Sequence, residues 1–174
     1  MLPFDSPKGD KPDKQTRHHY VLAHIALRRA CLADPYTFFE VMASPERHDF
    51  LDDLWKRICV NCDEDGHAQF SSRDVKITTT RIKQYPAVLL QMPTPYFMAE
   101  AYMVCIVLKI PFEEMQQRKD NPQIQYFTLE KGMNAGTGED RTVLCEWKGE
   151  CHLNHGDAPE ATPAAFMEAL NGLI

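Results

Sequence analysis

The apolar residues of this chain change period near residue 70, and no other feature limits its possible folds as strongly. Before that point they recur at helical spacing. Phe50, Leu51, Leu54, Trp55, Ile58 and Cys62 fall at i, i+3 and i+4 steps over more than three turns, which builds one apolar helix face. After Phe70 they alternate. The stretch from Val75 to Ile82 is rich in β-branched residues and reads as a strand. A chain whose helices precede its strands predicts an α+β fold with an antiparallel sheet. A doubly wound parallel fold needs strands and helices in alternation.

The remaining elements follow from start and stop signals. Tyr20, His24, Leu27 and Cys31, with Val21, Ile25 and Leu32 beside them, predict a well-buried helix from Thr16 to Leu32. Asp34-Pro35 caps a second helix carrying Phe38, Phe39 and Met42. Ser44-Pro45 starts a third, and Gly66 is placed to stop it. Ala87–Met92 reads as a second strand between Pro86 and Pro93. The run Met103–Leu108 predicts a long strand over about 98–110, although Thr94-Pro95 also fits a helix start running through Tyr102. A polar loop with a helical turn at 112–117 follows. Ile124–Glu130 and Thr142–Trp147 flank a glycine-rich connection, and Cys151–Asn154 is a short strand. Thr162-Pro163 opens a last helix that packs through Phe166, Met167, Leu170 and Leu173. The expected order is three helices, about five strands and one helix, with the helices, including the terminal one, on one face of the sheet. Residues 1–15, rich in Pro, Lys and Asp, read as a mobile tail, and 16–174 as a single domain.

Composition narrows the class. With 174 residues, 44% of them apolar, the chain can bury a core without disulfide or metal staples. A net charge of −6 argues against nucleic acid as a partner. No charged segment leads into an apolar one at the N-terminus, and the longest apolar run, Ala101–Leu108, falls far short of the ~20 residues that span a bilayer. The expectation is a cytoplasmic protein with no membrane contact. Cys31, Cys59, Cys62, Cys105, Cys145 and Cys151 are then expected as free thiols.

Three places hold candidate chemistry. Cys59-Val60-Asn61-Cys62 with His67 supplies three donors of a zinc site, and Cys145, Cys151, His152 or His155 would complete it. The competing reading is packing, because Cys62 extends the apolar stripe of the third helix and a free cysteine behaves there as a small hydrophobe. Asn61, Asp63, Asp65 and Gly66 also match the start of a calcium loop, but Ser72 stands where that loop needs a bidentate Glu. In the second place, Cys151–Gly156, a strand puts His152 and Asn154 on one face and Leu153 and His155 on the other. Glu130 and Glu146 lie on nearby strands, so a Glu–His152 acid–base pair competes with a hydrogen-bonded hairpin end. The third is Glu100, a carboxylate in apolar sequence. It faces solvent, pairs with a base such as Arg81 or His24, or lines a pocket. The candidate ligand-binding set is therefore Glu100, Glu130, His152 and Asn154, and the candidate metal set Cys59, Cys62 and His67. The glycines between residues 132 and 138 do not follow the order of a phosphate loop, and no nucleophile elbow or HExxH pair occurs.

Tyr126–Glu130, Leu144–Trp147 and His152–Gly156 together resemble small uncharacterised bacterial proteins with a similar order of elements, over the last third of the chain. The resemblance implies a bacterial, cytoplasmic origin and carries no activity with it. The leading expectation is a non-enzymatic binding or protein-interaction module without a cofactor, taking a protein or small ligand on its sheet or at an exposed edge. The alternatives are a zinc-binding protein or small enzyme using a Cys/His cluster, and a structural homodimer subunit.

Overall fold

The computed structural model describes residues 25–62, 72–92, 101–118, 122–133, 136–149, 151–158 and 160–174. The expected tail, His24, the acidic turn with Gly66 and His67, and Glu100 all lie outside the described residues. Residues 25–33 form helix α1, followed by α2 (Pro35–Met42) and α3 (Arg47–Cys62). Six strands come next: β1 (Lys76–Ile82), β2 (Tyr85–Gln91), β3 (Ala101–Leu108), β4 (Ile124–Met133), β5 (Asp140–Lys148) and β6 (Cys151–Asp157). A 3₁₀ turn, Phe112–Gln117, separates β3 from β4, and α4 (Pro163–Asn171) ends the order. The α+β class with an antiparallel sheet is therefore correct, with six strands in place of about five.

Each strand pairs antiparallel with the next, in the order β1-β2-β3-β4-β5-β6. A tight turn opens this meander. Lys83-Gln84 alone joins β1 to β2, with Lys83 at a φ of 55° that few side chains accept. Asp34 and Thr162 cap α2 and α4 as their positions before proline suggest. The Asp34 carboxylate accepts the Thr37 N–H at 3.1 Å, and the Thr162 hydroxyl accepts that of Ala165 at 3.2 Å.

The pleat sorts the core into two layers. Val88, Leu90, Val104, Ile106, Leu108 and Tyr126 point to one face, where Leu27, Cys31, Phe38, Phe39, Met42, Leu51 and Trp55 of α1–α3 cover them. Leu89, Met103, Cys105, Val107, Phe127, Leu129 and Leu144 point to the other, against Phe166 and Leu170 of α4. The terminal helix thus lies opposite the N-terminal helices, which corrects the one-faced arrangement expected from sequence. The reason is visible in β3, whose successive residues Met103 to Leu108 are all buried, so both sides of the sheet need cover. Two stripe residues are also corrected: Leu32 is exposed at the rim of α1, and Leu173 lies beyond the end of α4 in solvent.

No helix among the described residues is long and apolar enough to cross a membrane. Phe127 has no exposed surface, so Phe127→Ala should cost about 3–5 kcal/mol through lost burial and the cavity left behind. Leu173→Ala should change stability by less than about 0.5 kcal/mol. Urea unfolding of both variants measures the contrast.

Candidate functional site

A polar cluster and a groove occupy the two edges of the sheet. The first is built on the registers of β4, β5 and β6. Tyr126 pairs with Trp147 and Thr128 with Cys145, while Trp147 pairs with His152 and Cys145 with Asn154. Residues two apart share a face, so Thr128, Glu130, Cys145, Trp147 and His152 fall on the α1–α3 side, beyond the part of the sheet that the helices fill with apolar residues. Arg28 of α1 reaches this end. It is nearly buried, with its guanidinium 4.2 Å from the centre of the Trp147 ring.

There the polar groups form a connected chain. His152 Nε2 lies 2.9 Å from Glu130 Oε2. The Thr128 hydroxyl donates to the same oxygen, and Trp147 Nε1 donates to Thr128 Oγ1 at 3.2 Å. The Trp147 and His152 rings lie 4.4 Å apart, centre to centre. The buried thiol of Cys145 adjoins the same carboxylate. Burial, with the charge and hydrogen bonding of Glu130 added to it, pushes this thiol up to about 12. The ligand atoms of Glu130, Cys145 and His152 all lie within 4.8 Å of one another.

The structure therefore brings Glu130 and His152 of the sequence-derived ligand set into contact. Asn154 is committed elsewhere, because its side-chain oxygen accepts the Gly156 N–H at 2.7 Å within its own turn. Cys59 and Cys62 lie on α3, but the environment of their side chains is outside the described residues. A second carboxylate–imidazole pair sits on the opposite face, with His155 Nε2 2.9 Å from the buried Glu146. The sequence named both residues without pairing them. The register that aligns Glu146 with Leu153 brings His155 to the same side, and only strand pairing reveals it.

The second place is a groove of about 580 Å³ at the β1 edge. Phe39 of α2 and Ala43 at its C-cap, Phe112 and Met115 of the 3₁₀ turn, and Thr79, Arg81 and Pro86 of the sheet line it. The Arg81 guanidinium sits 3.8 Å from the centre of the Phe112 ring and 3.8 Å from Glu113. Sequence reasoning placed a helical turn at 112–117 within a polar loop, as the structure has it, but missed that this turn walls a groove. The only signal was the three-residue spacing of Phe112 and Met115. Thr78, Thr79, Thr80 and Arg81 are exposed in a row along the strand.

Protein-family models, curated proteins and solved structures were all compared with the chain, and none matches.

Accessibility separates the four cysteines whose side-chain environments are described. Cys31, Cys105 and Cys145 are buried and Cys151 is exposed. Burial also raises the Cys31 thiol well above its ordinary value and pushes Cys105 up to about 12. Brief alkylation of the native protein near pH 8, read by peptide mass spectrometry, should modify Cys151 and spare these three, because the thiolate is the reacting form. Modification of Cys145 as fast as Cys151 would contradict the buried cluster.

Proposed function

We propose that this chain is a non-enzymatic binding module that takes up an extended peptide segment as an added strand on β1. The observation that carries the reading is the edge itself: β1 has no strand beyond it among the described residues, its threonines are exposed, and it borders the 580 Å³ groove. An added strand gains affinity from main-chain hydrogen bonds and specificity from pockets for alternate side chains.

Strand pairing says which groups are on offer. The two-residue turn makes Ile82 and Tyr85 the closing hydrogen-bonded pair of the hairpin, and bonded and non-bonded pairs then alternate. Thr80–Ala87 and Thr78–Leu89 point their backbone groups inward. Arg81–Pro86 is a non-bonded pair, consistent with a proline that has no N–H to give. The N–H and C=O groups of Ile77, Thr79 and Arg81 therefore point outward.

Charge selects the occupant. β1 carries Lys76 and Arg81 and no acidic residue. A second copy pairing antiparallel through β1 would gather four cations at one seam, which disfavours the homodimer reading. A peptide with acidic residues and an apolar side chain facing the groove complements both features. In this reading the partner is a protein, the setting is the cytoplasm of a bacterium as the C-terminal resemblance implies, and the carboxylate–imidazole pairs are structural with respect to the peptide.

Thr79→Pro removes an outward N–H without touching the ladder to β2. It should leave the fold intact by circular dichroism and weaken binding of acidic, apolar-alternating peptides selected from a display library by at least about tenfold. Equal binding by the variant and the parent would overturn the reading.

A further inference from the structure

The opposite edge of the sheet carries a different chemistry, and it stands independently of the peptide reading. Glu130, Cys145 and His152 come from three adjacent strands, β4, β5 and β6, and converge on one face. A carboxylate, a thiol and an imidazole are the three donor types that zinc takes in proteins, and their combination disfavours magnesium and calcium, which prefer oxygen alone. We propose that these three residues bind a zinc-like divalent cation.

Geometry supports the assignment at two levels. Zinc–ligand bonds of about 2.0–2.3 Å in a tetrahedron put the ligand atoms roughly 3.3–3.7 Å apart. The three donor atoms already lie within 4.8 Å of one another, with His152 Nε2 and Glu130 Oε2 at 2.9 Å, so small side-chain rotations bring them to that spacing. The surroundings also hold the ligands in place. Thr128 donates to the Glu130 carboxylate, Trp147 donates to Thr128, and the Trp147 ring borders His152. Such outer partners orient metal ligands and tune their affinity.

Burial sets the access. Cys145 is buried and the Glu130 side chain is only 14% exposed, while that of His152 is 40% exposed. A cation therefore enters past His152, and its fourth position opens to solvent, where water or a small anionic solute binds. On binding, the Cys145 proton passes to solvent and the thiolate sulfur takes the metal. This site uses none of Cys59, Cys62 and His67, but Cys145 and His152 are two of the residues that the sequence offered to complete that set.

The test is titration of the full-length reduced chain with cobalt(II), read by thiolate-to-cobalt charge-transfer absorption. The expected result is saturation near one equivalent. The band disappears in Cys145→Ser, and affinity falls by at least about tenfold in His152→Ala and in Thr128→Val, while Cys59→Ser with Cys62→Ser leaves the band unchanged. His152 is exposed, so its variant keeps the test valid even if Cys145→Ser folds poorly. Absence of a thiolate band in the folded parent, its loss in the Cys59/Cys62 variant alone, or parent-like affinity in His152→Ala would each overturn the site.

Discussion

The rest of the structure depends on the burial of both sides of β3. Met103, Cys105 and Val107 point one way and Val104, Ile106 and Leu108 the other, and none of the six is more than 3% exposed. A strand buried on both faces needs a partner on each edge and a layer on each side. β2 and β4 meet the first need. The α1–α3 group and α4 meet the second. Cover then thins toward the two outer strands. β1 and β6 are mostly exposed, and both candidate sites lie there.

The two edges differ in chemistry because they carry different side chains. At β1, threonines flanked by Lys76 and Arg81 leave an accessible, cationic strand beside aromatic side chains from α2 and the 3₁₀ turn. Charged groups on an edge also discourage indiscriminate pairing with other strands. At the β4–β6 end, polar side chains replace apolar ones on the helix-facing side. Glu130 is kept there by hydrogen bonds from Thr128 and His152 that offset the cost of withdrawing a carboxylate from water.

Local signals in the sequence made much of this fold legible. Asp34 and Thr162 before proline marked two helix starts, and the change of period after Phe70 marked the turn to strands. The pleat rule also grouped His152 with Asn154 on one face and left Leu153 and His155 on the other. What remained hidden depends on register and layering. The side of the sheet that α4 would cover, the pairing of Glu146 with His155, and the approach of Cys145 to Glu130 each require knowing which residue lies opposite which. Periodicity within one segment does not contain that information. The role of Phe112 was missed for a related reason: its spacing from Met115 does not reveal its partner, Arg81, which lies on a distant strand.

Peptide uptake on β1 requires that strand to be an open edge. Residue-resolved hydrogen exchange of the free, full-length protein tests this. Amides of Thr78 and Thr80, bonded to β2, should exchange slowly, and those of Ile77, Thr79 and Arg81 quickly, with the outward set becoming protected when an acidic peptide is added. Slow exchange at Thr79 and Arg81 in the free protein would mean that another part of the chain already covers the edge, and would contradict the account.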